Sequence, residues 1–136
     1  MLDDPLTEKI IGCAYKVYNT LGAGFLEAVY KRALIIELSR TELPFAMEAP
    51  IKVLYGDKIV GSYYADIIVN DSIIVEIKAV DNIVKVHEVQ LVNYLHATGI
   101  PIGLLINFGS REIGIKRKYR DRQPDKVPDR IIGLTE

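Results

Sequence analysis

The segment "ADIIVNDSIIVEIKAV", Ala65 to Val80, holds two runs rich in Ile and Val around a polar Asn70-Asp71 turn, and it carries Asp66, Glu76 and Lys78 inside those runs. Two carboxylates brought together in a water-poor place repel each other, and burying them costs several kcal/mol unless something compensates. A hard divalent cation does so. Mg²⁺ takes oxygen ligands, usually one or two carboxylates completed by waters and substrate phosphate. A lysine two residues along the same strand face reaches the same volume, where an amine can orient or deprotonate an attacking water or stabilise charge on a phosphate. An isolated E-x-K is more often a surface ion pair. Strands this apolar read as central, however, and central strands seldom carry free charges.

Side chains alternate along a strand, so Glu76 and Lys78 share one face with Ile74 and Val80, while Val75, Ile77 and Ala79 share the other. A tight hairpin at Asn70-Asp71 sets Asp66 opposite Val75. A bulge or a turn one residue longer sets it directly beside Glu76. Gln90 and Tyr94 stand four residues apart on a helical segment, so an amide and a phenol share one helix face. Glu27, Tyr30 and Leu34 likewise fall on one side of an earlier helix.

The elements that must position these groups follow from periodicity. Asp4-Pro5 reads as N-cap and first helical residue, and Leu6, Ile10, Ala14, Val17 and Leu21 recur at helical spacing until "LGAG". A second helix spans about Phe25 to Ser39, with Leu26, Val29, Ala33 and Ile36 as its expected apolar stripe. After Pro50 the period becomes that of a strand through Tyr55, Gly56-Asp57 turns the chain, and Ile59 to Val69 and Ser72 to Val80 follow as second and third strands. A third helix covers about Lys85 to Ala97. "PIGLLINF", Pro101 to Phe108, is a strand apolar on both faces, and Arg111 to Tyr119 alternates as an exposed last strand. The expected fold class is α/β: a mixed sheet, with a three-stranded antiparallel meander and one or two further strands, flanked by helices. Residues 1–119 read as a single domain and 120–136 as an irregular charged tail.

The chain of 136 residues is 49% hydrophobic and has a net charge of −1, which fits one folded domain and excludes a globally basic protein. The charge is uneven. Residues 1–110 hold 9 Lys/Arg against 13 Asp/Glu, and residues 111–130 hold 8 against 4. The cationic cluster is "KRKYRDR", with Lys116, Arg117, Lys118, Arg120 and Arg122 as candidate nucleic-acid contacts; a merely solvated face is the commoner meaning of such a run. Cys13 is the single cysteine, so neither a disulfide nor a cysteine zinc site is expected, and a reducing cytoplasmic setting is the expectation. His87 and His96 are too far apart to share a helix face closely and read as non-ligands. No apolar run approaches the roughly 20 residues of a membrane helix, and no signal segment is expected.

"GFLEAVY", Gly24 to Tyr30, matches the pattern that names the GxxExxY protein family. The Asp66 strand, Glu76-Ile77-Lys78, "QLVNYL" from Gln90 and "GLLINFG" from Gly103 are similar to the rest of that family. The family in turn resembles the PD-(D/E)XK nuclease superfamily, specifically its RecB-like and lambda-exonuclease-like branch with a Q-x-x-x-Y helix. The resemblance implies a restriction-endonuclease-like core and a nuclease dependent on Mg²⁺ or Mn²⁺. It implies Asp66 and Glu76 as metal ligands, the Ile77 carbonyl as a backbone ligand, and Glu27 supporting the metal directly or through water. Lys78 would be the catalytic lysine, with Gln90 and Tyr94 as a positioning pair. Asp66 follows Ala65 where the motif has Pro. The implied partner is nucleic acid, DNA ahead of RNA, with a homo-oligomer left open and no membrane. A catalytically inactive member of the fold that binds nucleic acid or a protein is the alternative. Crowding of Glu27, Asp66 and Glu76 further predicts that removing the Asp66 charge stabilises the metal-free protein.

Overall fold

The structure, a computed structural model, describes residues 4–120. Helix α1 (Pro5–Leu21) starts where the Asp4 side chain accepts the Leu6 N–H at 2.9 Å and Pro5 takes the first turn. Helix α2 (Glu27–Ser39) follows a loop through Gly22. Strands β1 (Phe45–Tyr55), β2 (Lys58–Val69) and β3 (Ile73–Lys78) form the antiparallel meander, α3 (Lys85–Thr98) crosses over, and β4 (Ile102–Asn107) and β5 (Gly114–Tyr119) complete the chain. The sheet order is β1-β2-β3-β4-β5; only β3 with β4 is parallel, as a helical crossover requires.

Apolar side chains fill both faces of this sheet. On one, Ile10, Ala14 and Val17 of α1 and Tyr30, Leu34 and Leu38 of α2 pack on Ile73, Val75, Ile77, Leu104 and Ile106. On the other, Leu91, Tyr94 and Leu95 of α3 pack on Ile74, Leu105, Ala49, Ile51 and Ala65. β3 and β4, covered on both sides, are accordingly apolar throughout apart from Glu76, Lys78 and Asn107. Gly103 sits under α3: a Cβ there would come within 2.8 Å of Leu91, so the glycine sets how close α3 lies to the sheet.

Two expectations need correction. The buried stripe of α2 is Tyr30, Leu34 and Leu38, whereas Leu26 and Ile36 are exposed. The helix packs through the side that carries Glu27 and Tyr30. β1 begins at Phe45 and runs through Pro50, which an edge strand tolerates. Of the two β2–β3 turn lengths that the sequence left open, the structure has the longer, by one residue over the tight hairpin. Asn70 and Asp71 both adopt left-handed backbone (φ 54° and 53°), the Val69 carbonyl accepts the Ser72 N–H at 3.0 Å, and Val69 pairs with Ile73. Asn and Asp are the non-glycine residues that accept this conformation most readily.

The meander also changes face. Ile67 packs among α1 and α2, but Ala65, two residues earlier on the same strand, packs against α3. In an unbroken strand both would share a side. The irregularity falls at Asp66 and, across from it, at Glu48, which has φ of 48°. Here β2 leaves β3, whose pairing with it extends only from Ile67 to Val69.

Candidate active site

One step beyond the last β2–β3 pair, Ile67 with Val75, Asp66 and Glu76 face each other. Side chains replace the ladder there. The Asp66 N–H donates to Glu76 Oε2 at 2.9 Å, and the Ile77 N–H donates to Asp66 Oδ2 at 2.8 Å. Each carboxylate thus caps the other strand's backbone, which explains why the strands can part without orphaning these amides. Glu76 Oε1 accepts no hydrogen bond among the described residues. The longer Asn70–Ser72 turn is what brings the two acids opposite each other.

Glu76 is 8% exposed, and its carboxyl is pushed up to about 8. Burial is the main cause, followed by the negative charge of Asp66 and, more weakly, of Glu27; the Asp66 N–H and the Lys78 ammonium act the other way. Lys78 therefore lies within electrostatic reach of Glu76, on the same strand face and half-buried. Tyr94 comes from α3. Its hydroxyl is raised by burial first and then by the charges of Glu76, Tyr63 and Asp66, and its ring lies 5.6 Å from that of Tyr63. Gln90, one turn earlier, is exposed.

Glu27 opens α2, where an acidic residue suits the helix dipole. Its placement depends on Tyr30. The Tyr30 hydroxyl donates to the Gly22 carbonyl at 2.5 Å and accepts the Phe25 N–H at 3.1 Å, while its ring stacks on Phe108 at 4.7 Å. The tyrosine of "GFLEAVY" is thus a buried anchor that fixes the loop leading into Glu27. Glu27 itself is exposed and acts on Glu76 as a distant like charge.

Two residues at this site escape the sequence reading. Lys31, one helical turn after Glu27, places its ammonium 3.3 Å from Asp66 Oδ1 and bonds Glu48 Oε2 still more closely. Burial tends to lower the Lys31 pKa, but the Glu48 hydrogen bond and the Asp66 charge outweigh it, and the net direction is upward. Its i, i+4 spacing from Glu27 was a usable signal. Glu48 offered none, because the strand that carries it extends past a proline.

Among the described residues the basic cluster divides between two faces of β5. Lys116 and Lys118 flank Glu88 of α3 at 3.9 and 2.8 Å, and with Lys85 they hold its carboxyl below the usual range, the Lys118 hydrogen bond first. Arg117 points to the other face and meets Glu8 of α1 at 2.6 Å. Arg120 donates to the Gly99 carbonyl, and its own carbonyl is bonded to His96 Nε2 at 3.1 Å. His87 Nδ1 accepts the Val84 N–H. Arg122 and the tail from residue 121 lie outside the described residues.

Two adjacent carboxylates, one of them driven toward its neutral form by burial and by the charge of the other, fit a hard divalent cation that keeps waters and substrate oxygens in its remaining positions. They do not fit a closed all-protein site. Among the described residues no three His, Cys, Asp or Glu side chains gather closely enough to hold an ion alone. Among those residues, too, no helix is long and apolar enough to cross a membrane.

Comparison with known proteins bears on this geometry. No curated protein matches the chain significantly. The crystal structure of SSO0001 has the same fold, with a TM-score of 0.56 at 20% identity over 71% of this chain and 50% of the other, so the chain spans about half that protein's length. The sequence matches the PD-(D/E)XK nuclease superfamily over residues 4–118. With that match covering most of its length and a sheet that sets Asp66 opposite Glu76 where the β2–β3 pairing stops, the chain belongs to the PD-(D/E)XK nuclease superfamily.

Proposed function

We propose that this protein is a divalent-metal-dependent nuclease that hydrolyses phosphodiester bonds, with Asp66, Glu76 and Lys78 as its working groups. The observation that carries the reading is the reciprocal bonding of Asp66 and Glu76 at the point where β2 and β3 part, with Lys78 on the face of Glu76. Asp66, Glu76 and the Ile77 carbonyl would hold Mg²⁺ or Mn²⁺, and Glu27 would support the ion through water. When bound, the ion supplies Lewis-acid polarisation of the phosphate and acidifies water.

The chain's own groups divide the remaining work. The two carboxylates are fixed by backbone N–H groups on rigid strands, so they need no reorganisation when substrate arrives. Lys78 places an ammonium beside the site of attack, where it orients the incoming water and offsets charge on the phosphate as the leaving oxygen departs. Tyr94 lines the opposite wall from α3, with Gln90 one turn nearer solvent. The relationship to the GxxExxY family is the finer assignment that the "GFLEAVY" anchor supports. The preferred substrate is DNA.

The test is a cleavage assay on single- and double-stranded DNA and RNA with Mg²⁺, Mn²⁺ or chelator. Metal-dependent cleavage abolished by Asp66→Asn supports the reading. Absence of cleavage on all four substrates, with a folded protein and either metal, contradicts it.

A further inference from the structure

The metal reading leaves one cation at the site without a role. The Lys31 side chain is 21% exposed, and its ammonium lies against Asp66 Oδ1 at 3.3 Å and against Glu48. The other oxygen of Asp66 is held by the Ile77 N–H. Asp66 thus stands between a fixed peptide donor and a charge on a flexible four-carbon stem. Glu48 makes its ion pair with Lys31 from the point where β1 changes face, at a left-handed backbone angle unusual for glutamate. Neither residue belongs to the core, and neither pair is needed to close the sheet.

We propose that Lys31 is a resident counter-cation of Asp66 that a hard divalent ion must displace, and that Glu48 holds the displaced ammonium beside the site. The proposal rests on the metal-centre reading above. An ammonium and a divalent ion cannot share one carboxylate at contact distance without strong repulsion. Lysine can yield, because a second acceptor is already bonded to it. Asp66 cannot, because its strand and the Ile77 amide fix it. The arrangement keeps Asp66 compensated while the site is metal-free, and it makes the Lys31–Glu48 pair a determinant of metal affinity. It also favours divalent over monovalent ions, since only a higher charge repays the lost ammonium contact.

Calorimetric titration with Mn²⁺ of the full chain and its variants tests this. Lys31→Met should tighten Mn²⁺ binding by roughly fivefold, the scale of a partly exposed ion pair. Lys31→Arg should restore the original affinity. Glu48→Gln should weaken binding, and that weakening should vanish in the Lys31→Met background, because Glu48 acts through the lysine. In chelator, Lys31→Met should lower the melting temperature, and added Mn²⁺ should raise it by more than in the wild type. If Lys31→Met folds poorly, Lys31→Gln carries the same expectations. An unchanged or weaker Mn²⁺ affinity in Lys31→Met and Lys31→Gln, or a Glu48→Gln effect of equal size in both backgrounds, overturns the proposal while leaving the metal centre standing. A wild type that binds no Mn²⁺ overturns both.

Discussion

Glu76 accepts the main-chain N–H of Asp66 at 2.9 Å, while Asp66 accepts the main-chain N–H of the residue after Glu76 at 2.8 Å. The two acids are therefore locked as neighbours by backbone donors, whatever the solvent contains. Lys31 pairs directly with Asp66, whereas Glu76 lies deeper and has only the longer-range attraction of the Lys78 ammonium. The unfavourable charge falls on Glu76, and its carboxyl moves up to about 8.

That shift has a sign in stability. The folded protein binds the Glu76 proton more tightly than the unfolded chain does. Between the ordinary glutamate range near 4.5 and about 8, stability must then fall as pH rises. Metal-free protein in chelator should show this decline, of the order of a few kcal/mol. Glu76→Gln should melt like the wild type at pH 5 and higher than it at pH 9. Melting curves across that range check this, and a wild type that gains stability over the interval would contradict it.

Lys78→Met should lower cleavage by about a hundredfold or more while leaving Mn²⁺ affinity nearly unchanged, because a charged amine contributes to the reaction without ligating metal. Single-turnover cleavage measured beside Mn²⁺ calorimetry separates the two. Full turnover in the variant would remove Lys78 from the chemistry.

Tyr30→Phe keeps the ring on Phe108 but removes the hydroxyl that ties Gly22 to Phe25. A loss of about 1–2 kcal/mol in stability is expected from denaturant titration. Activity should fall further than stability does, since the loop that presents Glu27 is released. Equal activity at a temperature where both proteins are folded would make Tyr30 purely a core residue.

Gly109→Ala should destabilise the protein by more than about 2 kcal/mol. A Cβ at Gly109 would lie 2.3 Å from the backbone nitrogen of Val80, two residues past Lys78 on the same strand end, and backbone cannot step aside. A thermal shift assay decides it, and a neutral result would mean this loop packs more loosely than described.

Most of the framework was readable because it rests on local rules. Asp4-Pro5 marked the start of α1, the run rich in Ile and Val after the Asn70-Asp71 turn marked β3, and the two-sided apolar run at Ile102–Asn107 marked a central strand. What stayed hidden depends on tertiary contact. The face of α2 is chosen by Tyr30 stacking on Phe108, so Leu26 and Ile36 are left outside although their spacing is as regular. The register of Asp66 against Glu76 turned on one residue of turn length, which Asn70 and Asp71 settle by both accepting left-handed backbone. The expectation that removing the Asp66 charge would stabilise the metal-free protein took no account of Lys31, which arrives from another element. With the lysine in place, Asp66→Asn should instead cost stability in chelator, and Glu76→Gln is the relieving change.

The central claim is that Asp66 and Glu76 together hold a divalent ion. Calorimetric titration of Mn²⁺ at pH 7 in two buffers of different ionisation heat tests it most directly. A metal that takes Glu76 as a ligand must expel the proton that burial keeps there, so binding to the wild type should release close to one proton per ion. Asp66→Asn should lose most of the affinity, and Glu76→Gln should lose both affinity and proton release. Binding of equal strength in the wild type and both variants, or no binding to a folded wild type, would contradict the account.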